Sequence, residues 1–467
     1  MNQNEIYSIQ ELFETQKKYS FKQRLTTAEE RIGLLQKLKN ALPDIYGKVI
    51  DALSKDVAKP VFEIQYMELA GLPGIIDGIC ANLAKWMEAE SVTSAMDKTA
   101  SLEIVPEARG VVLVIGPWNV PFFLAIEPMI TALAAGNCVM IKPSELTPYT
   151  SHVIAEFIPT VFPPEIVSVV EGGVEETTEL LKLPFDHIFF TGSPNVGKIV
   201  MAAAAKNLTT VTLELGGKSP VFIDESADME RTAASIMHKK TINGGQICIS
   251  TDYLLVHKSR ENELLAALKK YTEKYYYANG SFNGKDMSHI INRHNYDRLK
   301  GLYQDALDKG AHVEFGGVFH DDSIQIEPTV ITHVSLDSKI MQEEIFGPLL
   351  PVLTYGNLQE AIDYVNTHSK PLALYIYSQD QKNIDKIVAE TSSGGVTIND
   401  AMLHASDYSL PFGGINGSGM GAYHGVYGFR ELSHLKPVYK AGNGPLDETL
   451  HPPFAGKVQS RKERALS

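Results

Sequence analysis

The sequence predicts an α/β protein in which a doubly wound parallel sheet is followed by a second α/β unit. Short apolar runs bounded by glycine recur along the chain, and helix-like segments separate them. The runs are apolar on both faces, as strands of a parallel sheet covered by helices must be. At 467 residues the chain also exceeds what one domain of about 100–200 residues absorbs, so two or more are expected.

From Glu29 to about Met87 apolar residues recur at helical spacing, as in RIGLLQKLKNAL, and Pro43, Pro60 and Pro73 are expected to break this run into separate helices. A polar stretch at 88–101 precedes an alternating segment and then the first buried strand, VVLVI at 111–115, between Gly110 and Gly116. A helix at 122–135 ended by Gly136, the strand CVMI at 138–141, a helix near 150–161 and the strand VSVV at 167–170 follow. The rhythm continues with a helix at 175–181, the strand HIFF at 187–190, a helix around 196–205 and the strand VTLEL at 211–215.

In such a sheet ligands bind beyond the C-terminal strand ends, which is where chemistry is to be sought. A second series reads VFI at 221–223, a helix near 231–240, YLLV at 253–256, the helix ELLAALKKYTEKY, PLLPVL at 348–353, LALYIY at 372–377 and GVTI at 395–398. No low-complexity linker separates the series, so a tight hinge is expected near Gly216–Gly217. This divides the chain into a helical opening with the first sheet at 1–215, a second α/β domain at 216–405, and a return segment with a tail at 406–467. No internal repeat is present.

Lys and Arg total 42 against 56 Asp and Glu, a net charge of -14 that repels polyphosphates and argues against a nucleic-acid partner. The three cysteines, Cys80, Cys138 and Cys248, are too sparse for a disulfide framework and fit a reducing compartment. The N-terminus lacks a signal peptide's apolar run, and nowhere do about 18 apolar residues run together uncharged. A cytoplasmic protein without a membrane anchor is expected. The last stretch, FAGKVQSRKERALS, is basic and polar and reads as a loose tail.

The loops after the strands hold unusual clusters: GPWNVP at 116–121, KPSE at 142–145, FTGSPNVG at 190–197 and ELGGKSP at 214–220. The second domain adds GGQICIS at 244–250, EEIFGP at 343–348 and PFGGINGSGMG at 411–421. Singly, each has a structural explanation: a glycine pair permits a tight turn, a lone cysteine fills a core, an Asn serves a turn. Together and in this order they are specific. The combination resembles the aldehyde dehydrogenase superfamily from about residue 20 to residue 440, and GQICISTDY, EEIFGP and LPFGGINGSGMGAYHG are similar to its class 3 branch, which includes coniferyl aldehyde dehydrogenases.

The resemblance implies a Rossmann-like cofactor domain, an α/β catalytic domain and a small oligomerisation element with strands near 98–110. Aldehyde oxidation needs a nucleophile that makes the carbon tetrahedral so that hydride can leave, and thiolate is the strongest such side chain near neutral pH. Cys248 fills that place. In the family the oxyanion is held by the asparagine of the PWN motif and the nucleophile's own N–H, here Asn119 and the amide of Cys248. The resemblance puts the base for thioester hydrolysis at Glu214 in LELGG, with Glu344 of EEIFGP as a second candidate.

The implied cofactor is NAD or NADP. Lys142 and Glu145 are expected at the adenosine ribose, Gly192 and Ser193 with Gly197 at the phosphate end of a helix, and Trp118, Glu344 and Phe346 toward the nicotinamide. The wider Gly192–Gly197 spacing replaces the usual G-x-G-x-x-G turn. Glu145 should accept hydrogen bonds from ribose hydroxyls and repel a 2′-phosphate, a repulsion that Lys142 offsets in part. Cys80 and Cys138 read as structural. The fourteen histidines show no metal-ligand spacing, so no metal is expected; His404 and His424 read as packing residues at the border of a substrate channel.

Val120 and residues 402–410 are apolar candidates for the aldehyde tunnel, suiting aromatic, coniferyl-type or medium-chain aliphatic aldehydes. The segment at 101–108 and the stretch after Phe412 match regions that pair subunits in the family, implying a homodimer. Two other readings stay open. A CoA-acylating relative has less use for Glu214, and a non-catalytic reuse of the fold has no use for Cys248, Asn119, Glu214 and Glu344 together.

Overall fold

The computed structural model describes residues 8–443 and 451–454. Four helices open the chain: α1 (Ile9–Gln23), α2 (Ala28–Val57), α3 (Val61–Ile64), which continues as a π turn at Gln65–Leu69, and α4 (Gly71–Trp86). Helix α1 precedes the run read from Glu29; it is polar on average but buries Leu12 and Phe13. Capping boxes start the first two helices, Ser8 with Glu11 and Thr27 with Glu30.

Pro43 does not break the run, because α2 continues through it. Its face of Leu35, Leu38, Leu42, Ile45, Val49 and Leu53 is buried without interruption, which outweighs the one backbone hydrogen bond that proline removes. Pro73 lies in the first turn of α4, where amide groups have no intrahelical partner in any case. Pro60, just ahead of α3, does separate two helices.

Strands β1 (Glu90–Val92) and β2 (Ser101–Ala108) lead into the first βα series. It runs β3 (Val111–Ile115), α5 (Phe123–Ala134), β4 (Cys138–Lys142), α6 (Pro148–Val161), β5 (Val167–Val169), α7 (Val174–Leu180), β6 (His187–Thr191), α8 (Pro194–Ala205) and β7 (Thr210–Glu214). Every strand and helix read from the sequence here is present, with ends shifted by at most two residues. The strands are parallel in the order β7-β6-β3-β4-β5, and β3, β4 and β6 are buried throughout. Helix α5, apolar almost all round, packs against β3 and β4 and against α2 and α4.

The chain crosses at residues 215–219 to a second sheet. This series holds β8 (Pro220–Ile223), α9 (Met229–Thr241), β9 (Tyr253–His257), α10 (Glu261–Tyr276), the hairpin β10 (Tyr277–Ala278) and β11 (Ser281–Phe282), and α11 (Arg293–Asp308). Then come β12 (His312–Phe315), the hairpin β13 (Phe319–His320) and β14 (Gln325–Ile326), β15 (Thr329–Thr332), α12 (Lys339–Gln342) and β16 (Leu349–Tyr355). Helix α13 (Leu358–Asn366), β17 (Ala373–Tyr377), α14 (Gln381–Glu390) and β18 (Gly395–Ile398) complete it. The strand order is β12-β15-β16-β9-β8-β17-β18, parallel except for β12.

After α15 (Leu403–Ser406) the chain returns to the first sheet, where β19 (Gly419–Met420) pairs antiparallel with β7, setting Gly419 opposite Glu214. Helix α16 (Gly425–Glu431) then leads to β20 (Ser433–Lys440), which lies along β2 with Ser101 opposite Lys440 and Ala108 opposite Ser433. The two segments read as subunit-pairing regions thus pair with each other within one chain, and β1 covers the other edge of β2. The basic stretch read as a tail lies, from residue 455 on, outside the described residues.

Candidate active site

Helix α9 delivers the chain to a tight loop. Asn243, Gly244 and Gly245 all adopt left-handed backbone, with φ of 55, 63 and 76°. A Cβ at Gly245 would lie 2.5 Å from the carbonyl of Gly347, so this crossing of two backbones requires glycine. Gln246 locks the turn: its Nε2 donates to the carbonyls of Asn243 (3.0 Å) and His289 (2.9 Å), and its Oε1 accepts from the amide of Ile291 (2.9 Å).

Cys248 emerges from this loop partly exposed, between buried Ile247 and Ile249. Burial, followed by the carboxylates of Glu344 and Glu214, pushes its thiol up to about 12. The thiol therefore holds its proton until a base takes it. Cys138, by contrast, is fully buried inside β4, and Cys80 receives a hydrogen bond from Gln36 on α2.

Asn119 reaches the same loop from the end of β3. Its Nδ2 donates to the carbonyl of Gln246 at 3.0 Å, two residues before Cys248. Its own carbonyl accepts from Lys59 Nζ and from Asn243 Nδ2, each at 3.0 Å. Next to it, half-buried Trp118 meets Phe346 edge-on, with ring centroids 5.4 Å apart. Phe346 is held at φ 50°, a costly setting for a residue with a Cβ and one that collects at functional sites.

Glu214 is the last residue of β7, and neither carboxylate oxygen has a hydrogen-bond partner among the described residues despite full burial. Burial first, then the carboxylates of Glu127 and Glu431, hold its carboxyl well above the usual range. Glu344 lies across the ELGG turn: a Cβ at Gly216 would fall 2.2 Å from its Oε2. Burial and Asp252 raise it to about 8, against the amide of Gly217 and the cations Lys218 and Arg298. Two carboxyl groups poised near or above neutrality thus flank one thiol, the arrangement that proton transfer at neutral pH requires.

The other strand ends of the first sheet gather the remaining residues. Lys142 ends β4 with its side chain buried; Nζ donates to the carbonyl of Pro143 (2.6 Å) and reaches Glu145 Oε2 at 3.5 Å. The Glu145 carboxylate faces solvent. Gly192 donates its amide to the carbonyl of Glu214 (3.0 Å), and Ser193 caps α8 by accepting from Val196 N. A Cβ at Gly197 would lie 2.7 Å from Leu215 Cδ2, so glycine allows α8 to pack down on the residue that follows β7. An exposed carboxylate for ribose hydroxyls, a helix N-terminus for phosphate, and the Trp118 and Phe346 rings that meet from the two sheets fit a nicotinamide dinucleotide.

The aldehyde dehydrogenase family model matches residues 8–438. The chain belongs to the aldehyde dehydrogenase family. Aldehyde dehydrogenase family 3 member A2 of Pongo abelii is 43% identical over 408 residues, covering 87% of this chain and 83% of that protein. The dimeric NADP-preferring aldehyde dehydrogenase of Rattus norvegicus is 43% identical over 431 residues, covering 92% and 94%. The structure of the substrate-bound state of Staphylococcus aureus AldH superposes with a TM-score of 0.91 at 40% identity, over 98% of this chain and 99% of that one. The protein is thus an oxidoreductase of the class 3-like branch that acts on aldehydes with NAD or NADP.

The structure also brings to this aldehyde dehydrogenase site groups that the sequence reading passed over. Lys59, Glu63 and Glu68 are buried beside the Asn119 loop, and Glu127 is buried on α5. Of these only Glu127 carried a signal in the sequence, as a charged residue in the middle of an otherwise apolar helix. His404 donates or accepts at Thr397 Oγ1 (2.7 Å), and its ring stacks with Phe412; His424 stacks between Phe412 and Tyr408. Burial lowers the two histidines to about 4 and about 3, so both are neutral packing groups at pH 7. Val120 and Met402 are buried, while Leu403 and Leu410 reach solvent. Among the described residues no group of three or more His, Cys, Asp or Glu side chains could hold a metal ion.

Proposed function

We propose that this aldehyde dehydrogenase works hydrolytically, through a thiohemiacetal and then a thioester on Cys248, with Glu214 as the deacylation base. The observation that carries this is the join between Asn119 and the Cys248 loop, with the unpartnered carboxyl of Glu214 on the adjoining strand end.

The chemistry assigns each group one task. A carboxylate takes the thiol proton, the sulfur of Cys248 bonds to the aldehyde carbon, and the carbonyl oxygen becomes an oxyanion. Asn119 Nδ2 and the amide of Cys248 hold that oxyanion. The carbonyl then re-forms as the C–H bond breaks and its electron pair leaves as hydride, for which nicotinamide, when bound, would supply the acceptor, and a thioester remains on Cys248. Glu214 then takes a proton from water, the water oxygen bonds to the thioester carbon, and the C–S bond breaks to release the carboxylic acid and restore the thiol. Glu344 is the second candidate for this base.

Lys142 and Glu145 would hold the adenosine ribose, Gly192, Ser193 and Gly197 the phosphates, and Trp118, Glu344 and Phe346 the nicotinamide end. The buried apolar groups Val120, Ile247, Ile249 and Met402 support an aromatic, coniferyl-type or medium-chain aliphatic aldehyde as substrate. The exposed Leu435, Val438 and Tyr439 on β20, and the relative named as dimeric, support a homodimer built on that sheet. No helix among the described residues is long and apolar enough to cross a membrane. Three free cysteines support a cytoplasmic location.

The test is nicotinamide reduction by purified protein over a panel of aldehydes, with NAD and NADP compared and CoA present or absent. Turnover that yields the free acid without CoA supports the proposal, and turnover only with CoA overturns it. A preference for fatty over cinnamyl aldehydes removes the coniferyl-type substrate.

A further inference from the structure

Three charged side chains are buried where the reaction has no direct use for them. Lys59 precedes helix α3, while Glu63 lies on that helix and Glu68 in the π turn that follows. Burying an ion pair costs more in desolvation than an apolar pair of similar volume would, so such a pair calls for a reason other than stability. π turns also collect at functional sites.

The bonds of this group converge on one peptide. Lys59 Nζ donates to Glu68 Oε1 at 2.6 Å and to the carbonyl of Asn119 at 3.0 Å. The other Glu68 oxygen accepts the amides of Phe122 (3.1 Å) and Phe123 (3.0 Å), which open α5 just after Asn119. From the nucleophile side, Asn243 Nδ2 donates to the same Asn119 carbonyl at 3.0 Å, and the Asn243 amide is held by Glu63 Oε2 at 3.0 Å. The side-chain amide of Asn119 ends on Gln246 O. The chain at Asn119 is therefore held at its carbonyl and again three and four residues on, at the amides of Phe122 and Phe123, which leaves the direction of its Nδ2 little freedom.

We infer that Lys59 and Glu68 are a positioning pair for Asn119: through its carbonyl and the amides of Phe122 and Phe123, they aim the side chain that receives the oxyanion. The inference rests on the oxyanion role proposed for Asn119. Displacement of a reacting-centre donor by about 1 Å costs on the order of 100-fold in rate, so loosening this clamp should slow the chemistry without weakening substrate binding.

A double-mutant cycle on the full-length enzyme tests this, with thermal melting of every variant. Glu68→Gln keeps an acceptor for the two amides but removes the charge that holds Lys59; Lys59→Met is the second arm should the first not fold. The expected result is that Asn119→Ala lowers kcat about 100- to 1000-fold. Glu68→Gln lowers kcat about 10-fold with KM for the aldehyde and the cofactor within about 2-fold, and in the Asn119→Ala background it costs less than about 2-fold more. A purely structural role would cost the same in both backgrounds, and that outcome overturns the positioning pair alone. Wild-type kcat in Asn119→Ala would remove the oxyanion role and the pair with it.

Discussion

Asn119 and Gln246 share a hydrogen bond of 3.0 Å, from the side-chain amide of the first to the main-chain carbonyl of the second. It joins the loop after β3 in the first sheet to the Cys248 loop that precedes β9 in the second. One contact thus ties Asn119, the proposed oxyanion donor, to the Cys248 loop across the boundary between two sheets.

Replacing Asn119 by alanine should separate catalysis from stability. The Gln246 carbonyl keeps a donor, since Asn243 Nδ2 reaches it at 3.2 Å, so the variant should lose only about 1 kcal/mol of stability relative to the wild type. Denaturant unfolding alongside steady-state rates checks this; a loss of several kcal/mol would mean that the bond is chiefly structural.

The pH dependence of turnover should rise from neutral to alkaline. A base acts in its deprotonated form, and Glu214 is held well above the usual carboxylate range while Glu344 is raised to about 8. Rate is therefore gained as pH climbs through those values. Glu214→Gln should leave a burst of reduced nicotinamide without steady turnover, whereas Glu344→Gln should still turn over. The reverse pattern would move the base to Glu344.

Glu127 should make the fold less stable in alkali. Burial raises it from 4.5 to about 8, and among the described residues only Thr131, at 3.1 Å, donates to it. A folded value above the unfolded one means that its contribution is fully present below the unfolded value and lost as pH rises through the folded one. Glu127→Gln should melt several degrees above wild type at about pH 9 and show no such gain at about pH 5. Equal melting shifts at both pH values would contradict the assignment.

Cofactor choice should turn on Glu145. Its carboxylate is exposed beside the buried Lys142 Nζ, and at the proposed ribose position it would oppose a 2′-phosphate. Glu145→Gln should lower KM for NADP about 10-fold relative to NAD, equal to about 1.4 kcal/mol of removed repulsion. An unchanged ratio would place the adenosine ribose elsewhere.

The repeating apolar runs made the parallel sheets legible, because a strand buried on both faces has few other ways to be written. Pro43 misled, since its cost is local and the long buried face of α2 is not. The edge strand β12, its neighbour β15 and helix α11 went unread, being short or polar on average and set by tertiary packing. Cys248, Glu214, Asn119 and Glu344 stood out through their motifs, and the structure gathers all four. The clamp of Lys59, Glu63 and Glu68 could not be read, because burial of a charge depends on partners distant in sequence, such as Asn119 and Asn243.

The most direct test is the intact mass of Glu214→Gln protein quenched after mixing with aldehyde and NAD, beside the same protein carrying Cys248→Ala. An added acyl group mapping to Cys248, and absent when that cysteine is replaced, is the predicted result. Aldehyde oxidation that persists in Cys248→Ala, with no adduct on either protein, would contradict covalent catalysis by Cys248.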